Sequence, residues 1–249
     1  MTLRKRFPMV LACCMLYLAY SGLYAEWKRF PILSGTDFAA EYCIADSGQP
    51  GKNVLLFAPH ADESSAGLAL EEFMKSFTPK QGLLIVCPWP VVPAKKLQAR
   101  FYIEDINRQF SHTEDNFTAI DIIAHSVQAW LRKYKIEYVL NLHEGYGKFR
   151  QSWTANYGQS IFIDSPSLLP FAERLAKRAN MRIPEQDKFL TAQIPMPTTF
   201  TWYCHTLGIP SLGVEIQREL SKEKRLRYQH IILEEFFAMI GLPLEPVKK

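Results

Sequence analysis

The 249-residue chain has no excess of charge, with 29 basic residues against 25 acidic ones. Three of the basic residues, Arg4, Lys5 and Arg6, fall in the first 25 positions and no acidic residue does, so the remainder is close to neutral. That argues against a nucleic-acid partner, which calls for a basic stripe or patch. Cysteine is scarce as well. Only Cys43, Cys87 and Cys204 lie beyond position 25, an odd number without CxxC spacing. A disulfide framework is thereby ruled out, although one bridge plus a free thiol is allowed. Repeats, low-complexity stretches and long linkers are absent, so residues 26–249 read as one domain, long enough to bury a core without staples.

A long uncharged run occurs at the start. Arg4, Lys5 and Arg6 precede an apolar stretch from Pro8 to Leu23, and Ala25 stands before Glu26. This is the pattern of a secretory signal cleaved after Ala25, which predicts a periplasmic or otherwise exported protein. The alternative is an uncleaved N-terminal anchor, the one route to a membrane, because Leu23 is a poor residue at the usual small position and the stretch nears the ~18 residues that span a bilayer. A lipoprotein signal at Cys13 has too short an apolar run before it.

Short apolar runs alternate with helical patterns along the rest. Val54–Ala58, Leu83–Cys87, Tyr138–Leu142, Ser160–Ile163 and Leu212–Ile216 read as buried strands. Helices are predicted over 66–73, 117–134, 170–180 and 222–240. The repeated β-α-β order predicts an α/β fold, a three-layer α/β/α sandwich around a mostly parallel, mixed central sheet.

His60, Glu63, His143 and Glu215 fall at or just beyond the ends of three of these runs. In open α/β sheets, ligands bind outside the carboxyl ends of the strands. Two imidazoles and one carboxylate there suffice for a catalytic zinc, and the remaining carboxylate is free to act as a base. Arg100 and Asn107-Arg108 add donors suited to an anionic group, since the guanidinium fork binds a carboxylate bidentately and an amide beside it adds a donor.

His60-Ala61-Asp62-Glu63, then Asp105-Ile106-Asn107-Arg108, then His143, then Glu215 within Gly213-Val214-Glu215-Ile216, resemble the ordered motif set of the zinc carboxypeptidase superfamily. The spacing from Arg100 to Asn107-Arg108 is similar to that of its succinylglutamate desuccinylase and aspartoacylase branch, which deacylates amino acids. Leu142-His143-Glu144-Gly145-Tyr146-Gly147, Tyr157-Gly158-Gln159-Ser160-Ile161-Phe162-Ile163-Asp164 and Met196-Pro197-Thr198-Thr199-Phe200-Thr201 resemble the peptidoglycan-trimming carboxypeptidases that set helical cell shape. The likeness runs from about Val54 to Arg218.

The resemblance implies a carboxypeptidase-like fold with His60, Glu63 and His143 as Zn²⁺ ligands. It implies Glu215 as the base that takes a proton from the attacking water, Arg100 as the charge that polarises the carbonyl, and Asn107 and Arg108 as the grip on a free terminal carboxylate. Tyr203 would close over the substrate, with a core aromatic as its plain alternative; apart from the resemblance, Gln159 and Ser160 follow a glycine at a strand start and so read as cleft-lining, non-catalytic residues. The implied partner is a peptidoglycan stem peptide or another small amide bearing a free carboxylate. Glu144-Gly145 departs from the Ser or Thr that many members carry after the histidine, which bears on the substrate subsite.

Other features take plainer readings. Cys204-His205 would be a thiol and a base, but neighbours on a strand point to opposite faces. His112, His125 and His230 read as solvated histidines, and Lys222, Lys224, Arg225 and Arg227 as a solvated helix face. Phe57-Ala58-Pro59-His60-Ala61-Asp62-Glu63 also resembles the first motif of zinc-dependent N-acetylglucosaminyl deacetylases, without their proline, second acidic residue or later paired histidines. A non-catalytic wall-binding module would have no reason to keep the full ligand set together with Glu215.

Overall fold

The run Leu83–Cys87 is buried at every position, as are Val54 to Phe57 and Val139 to Gly145. Strands with no polar side are what a parallel sheet covered on both faces requires. The computed structural model describes residues 25–110, 118–150 and 156–247. The segment that carries the expected export signal or anchor, residues 1–24, lies outside these, as does His112. Among the described residues no helix is long and apolar enough to cross a membrane.

In chain order the elements are β1 (Trp27–Ile32), β2 (Ala40–Asp46), β3 (Asn53–Phe57), α1 (Ser64–Ser76), β4 (Phe77–Pro79), β5 (Leu83–Cys87), α2 (Val92–Leu97) and α3 (Ala119–Lys133). There follow β6 (Tyr138–Gly145), β7 (Ser160–Ile163), α4 (Leu169–Asn180), β8 (Leu190–Gln193), α5 (Phe200–Thr206), β9 (Ser211–Gln217), α6 (Lys222–Ile240) and β10 (Leu244–Pro246). Eight strands form one sheet in the order β1-β2-β5-β3-β6-β9-β7-β8, and β4 pairs with β10 apart from it. The centre, β5-β3-β6-β9, is parallel, as is β7-β8, while β1-β2, β2-β5 and β9-β7 are antiparallel.

Successive residues of a strand face opposite ways, and the core divides accordingly. Val54, Leu56, Leu84, Val86, Leu140, Leu142, Leu212 and Val214 pack with α1, α4 and α6. Leu55, Phe57, Ile85, Cys87 and Val139 pack with α3 and α5 on the other face. This is the expected three-layer α/β/α arrangement. The antiparallel β1-β2 extension and the short α2 and α5 were not among the predicted elements.

Three local readings are corrected. Cys204 and His205 lie on helix α5, not on a strand, and burial pushes the Cys204 thiol pKa up. Cys43, Cys87 and Cys204 are all buried free thiols. The basic run at the start of α6 is not simply solvated, because Arg225 turns inward to Glu144 and Lys224 reaches Asp187 at 3.1 Å. His230 pairs with Glu72 at 2.7 Å.

Candidate active site

β3 and β6 lie side by side in register Phe57↔Asn141, so the turn that leaves β3 brings His60 beside His143. Glu63 is the residue before the first turn of α1. Its side chain makes no capping bond and points instead at the histidines. His60 Nδ1 lies 2.9 Å from Glu63 Oε1, His143 Nδ1 lies 2.8 Å from Glu63 Oε2, and the two Nδ1 atoms are 3.2 Å apart. All three residues are buried, at 5% relative exposure or less.

A second set of charges holds the triad in place. His60 turns its Nε2 to Asp105 Oδ1 at 2.8 Å, the carboxylate contact that fixes the ring and leaves Nδ1 toward the triad. Arg100 spans both carboxylates, Nη1 to Glu63 Oε1 at 2.8 Å and Nε to Asp105 Oδ2 at 3.1 Å. Burial alone would lower the His60 pKa, but Glu63 and then Asp105 outweigh it and push it up to about 9. Burial would likewise raise Glu63, yet the charges of His60 and His143 hold it well below the usual carboxylate range.

Glu215 lies directly across from His143 in the parallel β6-β9 register. Burial first, and the Glu63 carboxylate second, raise its pKa well above the ordinary value. Gly145 makes room for it. A Cβ there would stand 3.0 Å from Glu215 Oε2 and 2.8 Å from the backbone nitrogen of Gly158.

Asn107 and Arg108 sit on a single 3-10 turn, Ile106–Arg108, whose start is capped by Asp105 accepting from the Asn107 N–H. Asn107 Oδ1 accepts from the Phe200 N–H at 3.0 Å, which commits its oxygen, while its NH₂ has no partner among the described residues. Arg108 is tethered through Nη1 to the Asn107 carbonyl at 2.9 Å. Both line a cleft of about 300 Å³ together with Arg100, Glu63, His143 and Glu215. A larger hollow of about 650 Å³ lies against β1, β2 and α1 and contains none of these residues, so size does not mark the site.

Three sequence expectations fail here. Tyr203 is 1% exposed and belongs to the core, packed near Phe110, with its hydroxyl accepting from Arg132 at 2.9 Å. It faces away from the cleft because it lies on the α5 side that packs against the sheet. Gln159 and Ser160 are fully buried: Gln159 bridges the Asp187 carbonyl and the Gln217 N–H, and Ser160 donates to the Tyr157 carbonyl at 2.5 Å. The cleft wall they were expected to form is supplied by Asp62, Tyr146, Tyr157, Met196 and Arg218. A signal for Arg218 was present, since it follows Glu215 by three residues at the exit of the same strand.

Neither a family model nor a curated protein matches the sequence. Solved structures do. The tripeptide-bound cell-shape determinant Csd4 of Helicobacter pylori superposes with TM-score 0.74 at 20% identity, over 90% of this chain and 57% of that one. The mDAP-bound form of Csd4, a D,L-carboxypeptidase, gives 0.71 at 21% identity over 79% and 52%. The chain has the carboxypeptidase-like fold. A succinylglutamate desuccinylase/aspartoacylase of Rhodobacter sphaeroides shares it at TM-score 0.63 and 19% identity, over 88% of this chain and 65% of that one. The chain spans about half the length of the Csd4 chains it matches.

Within this fold the His60, Glu63 and His143 ligand atoms all lie within 4.8 Å of one another, the spacing of a group that could hold a metal ion. The donor set suits zinc. Ligands at 2.0–2.1 Å from a tetrahedral ion stand roughly 3.3 Å apart, close to the 3.2 Å between the two Nδ1 atoms.

Proposed function

We propose that the protein is a zinc-dependent hydrolase of the carboxypeptidase type, cutting an amide bond next to a free terminal carboxylate. The observation that carries this reading is one cleft lined by Glu63 and His143 of the His60–Glu63–His143 group, by Glu215 and by the Asn107–Arg108 pair.

His60, Glu63 and His143 would hold the zinc, which would supply a Lewis acid at the scissile carbonyl. Asn107, through its NH₂, and Arg108 grip the terminal carboxylate and so select chain ends. Arg100 places a fixed guanidinium where negative charge grows on the carbonyl oxygen, and loss of one comparable donor costs on the order of 10²- to 10³-fold in rate. Glu215, whose pKa is raised by burial, takes the proton of the attacking water and delivers it to the leaving nitrogen.

The substrate we favour is a peptidoglycan stem peptide, trimmed outside the cytoplasm with release of a terminal diamino acid. Two things support it: the fold shared with Csd4, and an N-terminal segment with the pattern of an export signal. The test is mass spectrometry of products after the zinc-loaded protein meets a muropeptide digest and, separately, a panel of N-acyl amino acids, with Glu215→Gln as control. Loss of a terminal diamino acid from tripeptide stems, absent in the control, is the expected result. Cleavage of the acyl amino acids alone would make it a deacylase, and turnover by the Glu215→Gln protein would remove Glu215 from the mechanism.

A further inference from the structure

His60 and His143 are held in different ways. The His60 ring is fixed from behind, where Nε2 meets Asp105. The His143 ring has no such brace, since its Nε2 has no hydrogen-bond partner among the described residues. Its place is set by the main chain, and there a side chain from another layer intervenes. Gln229, 86 positions further on and within α6, donates through Nε2 to the His143 carbonyl at 3.1 Å.

That carbonyl belongs to the His143–Glu144 peptide, whose N–H donates to Glu63 Oε2 at 3.1 Å. A trans peptide is planar, so its oxygen and its N–H point in opposite directions and turn together. Gln229 at one end of the plane therefore bears on Glu63 at the other, and the Cα of His143 is one of the plane's own atoms. The link reaches two of the three residues that would hold the metal, from a side chain that is 0% exposed and outside the cleft wall. Arg225, one turn earlier on α6, pairs with the Glu144 side chain, so the helix grips both residues of this peptide.

Packing alone does not account for Gln229. At helical spacing it shares a face with the buried Ile232, Leu233 and Phe236. Its Oε1 is buried without a partner. A buried amide that leaves its acceptor unpaired loses much of what its one hydrogen bond contributes, and an apolar side chain of the same length would fill the space as well.

We propose that Gln229 is a positioning residue for the metal-ligand group, holding the His143–Glu144 peptide in the plane that aims His143 Nδ1 and Glu63 Oε2 at a common point. This rests on the metal-centre reading of the site. Outer partners that orient ligands in this way are typically worth 10- to 100-fold in metal affinity.

The test compares three variants of the full chain. Gln229→Met keeps the length and removes the donor, Gln229→Asn is one methylene too short to reach the carbonyl, and Leu233→Ala opens a cavity on the same helix while leaving the peptide's bonds in place. In competition with a chromophoric chelator, both Gln229 variants should show a zinc dissociation constant raised roughly 10- to 100-fold. With cobalt(II) in place of zinc, their d–d bands should shift. Leu233→Ala should lower the unfolding midpoint and leave affinity and spectrum as in the wild type. In metal-free protein, the imidazole ¹⁵N resonances of His143 should move in the Gln229 variants and stay in place in Leu233→Ala. Affinity and spectrum unchanged in both Gln229 variants, or changed equally in Leu233→Ala, would overturn the proposal. The ¹⁵N shift needs no metal: a wild-type protein indifferent to zinc that still shows it would sink the metal-centre reading and uphold the grip of Gln229 on His143, and its absence would overturn that grip.

Discussion

Asp105 accepts from His60 Nε2, from Arg100 Nε and from the Asn107 N–H, and so joins the metal-ligand group to the carboxylate grip. Burial alone would raise its pKa, but the hydrogen bond and charge of His60, and then Arg100, hold it well below the usual carboxylate range. A depressed folded-state pKa contributes stability that is complete above the unfolded value, about 3.9 for aspartate, and is lost as pH falls toward the folded one. Asp105→Asn should therefore destabilise the protein by roughly 2 kcal/mol at pH 6. The gap from wild type should narrow on acidification to pH 3, as measured by urea unfolding at both values. A gap that stays constant or widens would show that Asp105 does not hold its charge through these contacts. The sequence displayed Asp105 beside Asn107-Arg108, yet its service to His60, 45 positions away, could not be read from a spacing. The same limit applies to Tyr203. Position alone does not say which way an aromatic points, and here it points into the core.

At the scale of elements, the strands predicted from apolar runs reappear within a residue or so at most ends, because buried parallel strands have an unmistakable composition. β6 runs on to Gly145, past the predicted end at Leu142, since His143 and Glu144 are paired with β9. β1 was illegible for the opposite reason: Trp27–Ile32 is an edge strand, largely exposed, and includes Pro31. Glu144 shows what strand alternation does to a site. His143 faces the triad, and Glu144 turns to the other face, where it accepts from the Ser65 N–H of α1 at 2.7 Å and pairs with Arg225 of α6. This side chain is wholly buried, so the departure from Ser or Thr at this position builds a clamp between three elements. Removing one member of a buried ion pair strands the other charge, at about 3–5 kcal/mol. Glu144→Gln and Arg225→Met should each cost on that order, and the double variant much less than their sum, in a thermodynamic cycle from chemical unfolding. Additive losses would mean that the pair is not coupled.

The whole molecule gathers its site from segments far apart in the chain. His60 and His143 are separated by 83 positions, and Glu215 comes from a third strand, yet all meet because β3, β6 and β9 are parallel neighbours that end on the same side. That much was legible, since parallel β-α-β order places successive strand ends together. The antiparallel β1-β2 margin was not, having neither the apolar runs nor the motif residues that identify the centre. An ion bound by His60, Glu63 and His143 would tie the β3–α1 connection to β6, and so bind the folded chain in preference to the unfolded one. Free zinc at 100 to 1,000 times its dissociation constant would add about 2.7–4.1 kcal/mol by mass action. For a chain of this size each kcal/mol moves the midpoint by about 2–4 °C. Chelation of the zinc-loaded protein should lower Tm by roughly 10 °C in scanning calorimetry, and zinc should restore it. His143→Ala should show no chelator-dependent shift, because two ligands remain where three are needed. A wild-type Tm indifferent to chelator and to added zinc would exclude this group as a metal centre, and an equal shift in His143→Ala would place the ion elsewhere in the molecule.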